Sequence, residues 1–159
     1  MSKEYPKTYE SQFKSLKIYH INDFDQLDDI RFVGNSHEVD MGEIFQVKPD
    51  ELTTIFSYGA NPCISGIVLD HNYSLYCFHS FGEFLTPEQE SYMKNSRSGY
   101  VGGNIETLGK YQDLFSENHI RILIPPSIIH DFNYVLVKSK NEFKTPIGFY
   151  YNYDEFPLD

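Results

Sequence analysis

The chain has 159 residues, the length of one domain and enough to bury about two thirds of its unfolded surface. Lys and Arg number 13 against 23 Asp and Glu, so the formal charge is 13 − 23 = −10. Such a chain repels phosphate backbones and anionic lipid, which sets nucleic-acid binding aside, and no stretch approaches the ~18 apolar residues of a membrane span.

Hydrophobic residues make up 40% and aromatics 16%, with 13 Phe, 13 Tyr and no Trp. A core can therefore form without metal or disulfides, and the aromatic load favours a pleated sheet over long helices. The two cysteines, Cys63 and Cys77, form no CxxC, so a reducing compartment is expected. The opening MSKEYPKTYESQFKS has no apolar core of a signal peptide. The expectation is a soluble protein, cytoplasmic or exported without a cleaved signal into a host cytosol.

Residues 1–15 read as a loose polar arm, and 16–159 as a single domain. Leu16 to Ile21 alternates as a first strand, Ile30 to Val33 as a second, and Met41 to Val47 as a third, stopped by Pro49-Asp50. Leu52 to Tyr58 is rich in β-formers and ends at Gly59. Gly59-Ala60-Asn61-Pro62 is a turn, from which Cys63 to Leu69 leaves as a buried strand. Asp70-His71-Asn72 reads as a hairpin turn, with Ser74 to Phe81 returning as its partner.

Thr86-Pro87-Glu88-Gln89 carries an N-cap, a proline at the first helical position and a capping-box Gln, so a helix should start there and end near Asn95. Ser96 to Ser98 reads as a loop. After Gly102-Gly103-Asn104, the apolar Ile105, Leu108, Tyr111 and Phe115 predict one helix over 105–115. Strands follow at His119–Ile124, Phe132–Val137 and Ile147–Tyr151, with Pro125-Pro126 between the first two. The fold class is α+β: a largely antiparallel sheet packed in two layers, with two or more helices outside.

One constellation carries chemistry. Cysteine hydrolysis needs a thiolate, an imidazole to generate it and a donor for the oxyanion. Cys63 follows a Gly-containing turn, where its own N–H can be free to serve as that donor. Cys63 and His79 each lie eight residues from His71, so a hairpin centred there would set them side by side. A thiol and an imidazole in contact would form a nucleophile–base pair.

The segment Ser57-Tyr58-Gly59-Ala60-Asn61-Pro62-Cys63, followed by Asp70 at the turn and His79 sixteen residues after the cysteine, resembles the active-site hairpin of the CheD family of chemoreceptor glutamine deamidases. That family places a Thr before the Cys at the same spacing, and its His at a similar interval. Gly102-Gly103-Asn104, followed by a helix and a strand, is similar to the family's Gly-Gly-Ala-Asn segment. The Thr/Ser-Cys-His arrangement also recurs in cytotoxic necrotizing factor-like deamidase toxins.

The resemblance covers roughly residues 40 to 125. Ser57 stands where the family has Thr, and residues 125–159 lack its Gly-rich, Arg-containing signature. It implies a protein-glutamine deamidase that needs no cofactor or metal. Cys63 would attack the side-chain carboxamide, His79 would move protons, and Ser57 would hold His79 in the working tautomer, with Thr53 and Thr54 as rivals for that last role. The implied partner is a protein substrate carrying a reactive glutamine. The missing signature and the acidic charge favour a bacterial effector or toxin over a chemotaxis component; a non-catalytic binding module on the same scaffold is the alternative.

Other candidates weigh less. Cys77 shares a strand face with His79 and reads as core packing; His71 reads as an exposed turn residue. His130 and Asp131 are adjacent and would point apart on a strand. Gly99 to Gly103 is followed by no Lys-Ser/Thr, so backbone geometry explains it better than a phosphate loop. Phe149 to Tyr153 reads as an edge strand.

Overall fold

The computed structural model describes residues 18–20, 35–47, 53–72, 74–123, 132–138 and 148–153. Two five-stranded sheets are built from β1 (Ile18–His20), β2 (Asn35–Glu38), β3 (Ile44–Gln46), β4 (Thr53–Ala60), β5 (Ile64–Asp70), β6 (Leu75–His79), β7 (Ser96–Gly103), β8 (Ile120–Ile122), β9 (Phe132–Lys138) and β10 (Gly148–Tyr153). The first runs β1-β10-β9-β4-β2 and the second β3-β6-β5-β7-β8. Pairing is antiparallel through the middle of each sheet and parallel where β1, β2 and β8 join as edges. The α+β class with a largely antiparallel, two-layered β structure is therefore observed.

Two apolar layers hold the molecule together. Between the sheets lie Ile55, Phe132, Tyr134 and Leu136 from one side, and Cys63, Ile67, Leu69, Leu75, Cys77 and Tyr100 from the other. The Tyr134 hydroxyl crosses this layer to donate to the Gly66 carbonyl at 3.2 Å. On the opposite face of the second sheet, Ile64, Val68, Phe78 and Val101 meet Met93, Leu108 and Phe115 from the helices. Each such fully buried side chain contributes on the order of 1.5–3 kcal/mol.

The helices are α1 (Pro87–Lys94), α2 (Ile105–Lys110) and α3 (Gln112–Glu117). α1 begins as its sequence predicts: Thr86 accepts from Gln89 N–H at 3.1 Å, and the Gln89 side chain accepts from Thr86 N–H at 3.0 Å.

Several expectations need correction. The single helix over 105–115 is two, broken at Tyr111, whose hydroxyl is drawn to Leu85 N–H at 3.0 Å. Ser96 to Ser98 belongs to β7 rather than a loop, because the Ser96 hydroxyl reaches two carbonyls, Met93 and Asn118, and lets a polar residue be buried. His119, at φ 59, is a turn residue ahead of β8. Met41 and Gly42 form a turn before the short β3, and β2 was not foreseen. β10 lies between β1 and β9, so it is not an edge strand. The expected strand at 30–33, the His130-Asp131 pair and the polar arm lie outside the described residues.

Candidate active site

The β5–β6 hairpin is the frame of the site. Its loop is closed by Asp70 N–H donating to the Ser74 carbonyl at 2.9 Å, while Asp70 Oδ1 accepts from the N–H groups of Asn72 and Ser74, each at 2.8 Å. That loop centres the hairpin on residue 72 rather than 71. The register therefore pairs His79 with Ser65, Phe78 with Gly66 and Cys77 with Ile67. Cys63 and His79 are not directly opposed, as a centre at His71 would require. Cys63 lies two residues before Ser65, the strand partner of His79, and belongs to the apolar layer between the sheets. Cys63 is 3% and His79 5% exposed, and no hydrogen bond joins them in the resting chain.

The third predicted residue lies across the layer. Ser57, on β4 of the other sheet, sets its Oγ 2.7 Å from His79 Nδ1. Beyond Ser57, β4 bulges, with Tyr58 and Gly59 opposing Asn133 alone; Gly59 has φ 69 and donates its N–H to Asn133 Oδ1 at 2.8 Å. The bulge carries the chain toward the Asn61-Pro62 turn and Cys63. Thr53 and Thr54, the rivals for Ser57's role, lie further back on β4, and Thr53 donates its hydroxyl to the Asn35 carbonyl at 3.0 Å.

Burial holds the His79 imidazole below its ordinary range, with the negative charge of Asp40 partly opposing this. A neutral ring whose Nδ1–H donates to Ser57 Oγ leaves Nε2 with a free lone pair, the tautomer a general base requires. The His79 backbone is also clamped. Its carbonyl accepts from Gly42 N–H at 2.7 Å and from Gln89 Nε2 at 2.9 Å, and its N–H donates to the Glu43 carbonyl at 3.2 Å. Gln89, wholly buried, gives its other amide hydrogen to Glu43 at 2.9 Å, so the capping box of α1 also fixes the histidine strand.

The Gly102-Gly103-Asn104 segment builds the cysteine side. A Cβ on Gly103 would lie 2.5 Å from the Cys63 carbonyl oxygen, and one on Gly102 would lie 2.6 Å from the Phe132 ring. The glycines allow β7 to press against the cysteine turn, so close packing explains them, not phosphate binding. Asn104 donates its N–H to the Cys63 carbonyl at 3.1 Å and its side-chain amide to Asn61 Oδ1 at 2.8 Å, while its Oδ1 caps α2. The Thr107 hydroxyl holds the Pro62 carbonyl at 2.8 Å. Cys63 N–H, by contrast, has no acceptor among the described residues. Ile64 N–H, next along, is taken by Ser80 Oγ at 2.9 Å.

Ser65 was not foreseen from its strand pattern. It is fully buried, pairs with His79 on one side and Gly102 on the other, and its hydroxyl has no partner. Cys77 is a core residue, and burial pushes its thiol far up. His71 is an exposed turn residue. A depression of about 410 Å³ along α1, lined by Pro87, Glu90, Ser91, Lys94 and Asn95, contains none of the site residues. Among the described residues no cluster of three potential metal ligands occurs, and no helix is long and apolar enough to cross a membrane.

No family model matches the chain, and no curated protein and no solved structure gives a significant match.

Proposed function

We propose that the chain is a protein-glutamine deamidase of the CheD and cytotoxic necrotizing factor type, with Cys63 as nucleophile, His79 as base and Ser57 as its positioning residue. The observation that carries this reading is the 2.7 Å contact between Ser57 Oγ and His79 Nδ1, made across the two sheets, with Cys63 two residues from Ser65, the strand partner of His79. A buried hydroxyl so placed orients the imidazole, and where it accepts from Nδ1–H it leaves the Nε2 lone pair to take a thiol proton.

The steps balance. His79 Nε2 takes the Cys63 proton as Sγ attacks the carboxamide carbon, and Cys63 N–H supports the oxyanion. The C–N bond breaks as the imidazolium returns its proton to the leaving nitrogen, giving ammonia and a thioester. Water then gives a proton to His79 and attacks the thioester; the C–S bond breaks, the thiol is restored, and glutamate leaves. No cofactor or metal enters these steps. The acidic charge and the departure from the family at the C-terminal end favour an effector acting on another protein over a chemotaxis component.

A second reading, a binding module on the same scaffold, draws on the lack of a hydrogen bond between Cys63 and His79. Apo sites often tighten only around substrate, which leaves the deamidase preferred. The test is ammonia release from unfolded, glutamine-bearing proteins, with peptide mass spectra read for Gln-to-Glu exchange. Release by the wild type and none by Cys63→Ser is expected; equal release by both would refute the proposal.

A further inference from the structure

Four large hydrophobic side chains are exposed among the described residues: Met41 at 56%, Phe81 at 63%, Phe84 at 60% and Ile105 at 37%. Singly exposed hydrophobics are ordinary on a protein surface. Each of these four sits in a segment bonded to the candidate site.

Met41 precedes Gly42, whose N–H donates to the His79 carbonyl at 2.7 Å. Phe81 lies two residues beyond His79, and its ring is 3.2 Å from the position a Cβ on Gly42 would take, so it rests against the Met41 turn. Phe84 faces Phe81 across a tight turn, closed by Phe81 N–H to Phe84 carbonyl at 2.8 Å and the reverse bond at 3.1 Å. Gly82 has φ 60 while Glu83 does not enter the positive region, which makes this a type II′ turn that sets both phenylalanines on one face. Ile105 follows Asn104, which holds the Cys63 carbonyl and the Asn61 side chain.

Charge lies beside this apolar rim. Asp40, Glu83 and Glu106 are exposed neighbours of Met41, Phe84 and Ile105 in sequence. Lys110 covers the Phe84 ring at 4.1 Å from its centroid and is held by Glu83, Nζ to Oε1 3.5 Å. On a chain of charge −10, the complement to such a rim is cationic.

We infer that Met41, Phe81, Phe84 and Ile105 form the docking rim for the protein substrate, and that the segment docked is apolar on both sides of its glutamine and basic beyond. The inference rests on the deamidase reading and names its substrate class. The aromatic turn receives the apolar residues, Asp40 and Glu106 receive the lysines or arginines while Glu83 stays with Lys110, and the glutamine side chain is left over Cys63.

The test uses the full chain and two labelled peptides with one glutamine each, the first with Leu and Phe around the glutamine and Lys at both ends, the second with Ser and Gly around it and Glu at both ends. Binding is read by fluorescence anisotropy and ammonia release is read on the same samples, for the wild type and for Phe81→Ser with Phe84→Ser. The expected result is binding of the first peptide alone, weakened about tenfold or more in the double variant. Equal binding of both peptides, no binding of the first, or no change in the double variant would overturn the inference. Phe-dependent binding with no ammonia from the wild type would keep the rim and refute the deamidase. Ammonia release that ignores the double substitution would do the reverse.

Discussion

Ser57 and His79 belong to different sheets, yet their Oγ and Nδ1 atoms meet at 2.7 Å in the layer where the sheets pack. The contact therefore depends on sheet packing as much as on local sequence. It makes the imidazole a reporter of how well the two layers are joined.

Removing the hydroxyl should uncouple the two. Ser57→Ala is expected to lower ammonia release about 10²-fold, in line with the usual contribution of a correctly held general base. Ser57→Thr retains the oxygen and should retain most of the rate, at a packing cost of about 1–3 kcal/mol for the added methyl in a fully buried site. Steady-state assays of both variants beside a thermal melt separate the two effects.

Gln89 joins helix start and histidine strand, so Gln89→Leu should do double damage. It strands the carbonyls of His79 and Glu43 and the N–H of Thr86, partly or wholly. A loss of about 2–3 kcal/mol in urea-unfolding free energy is expected, together with slower Cys63 chemistry in the fraction that folds.

Gly103→Ala places a methyl 2.5 Å from the Cys63 carbonyl at a φ of 134. Both strain and overlap oppose it, and about 1–3 kcal/mol of stability should be lost. Gly109→Ala is the control, since a Cβ there meets nothing within 4 Å and lies in a helix, where alanine is favoured.

The depressed imidazole makes a pH prediction. His79 sits below its unfolded value of about 6.5, so between the two values the unfolded chain binds more protons. Its contribution to stability is present above about pH 6.5 and is lost as pH falls toward the folded value. Wild type should lose stability across that window more steeply than His79→Gln. The acid limb of kcat/KM should likewise fall below the ordinary imidazole value.

The hairpin and the α1 start were legible because turn residues and capping residues act locally, whereas Ser57 was singled out only through the resemblance to the CheD hairpin, since its contact with His79 is made between sheets. The register was not, because the loop runs on to Ser74, where Asp70 closes it, and this shifts each partner assignment along the strand. β2 was hidden because Asn35 to Glu38 is polar and mostly exposed, an edge held by its pairing with β4. The break at Tyr111 reflects a tertiary bond to Leu85, which helical periodicity cannot report. Ser65 was invisible for a related reason: nothing in a strand sequence says which hydroxyl will be buried without a partner.

Under the proposed function His79 activates Cys63, and alkylation reads that activation without a substrate. Iodoacetamide labelling is followed by mass spectrometry against pH in the wild type and in His79→Ala, with fully buried Cys77 as the internal reference. Rapid labelling of Cys63 is expected in the wild type near neutral pH, slowed at least tenfold in His79→Ala, while Cys77 stays unlabelled in both. Labelling of Cys63 no faster than an ordinary thiol, and unchanged by His79→Ala, would contradict it.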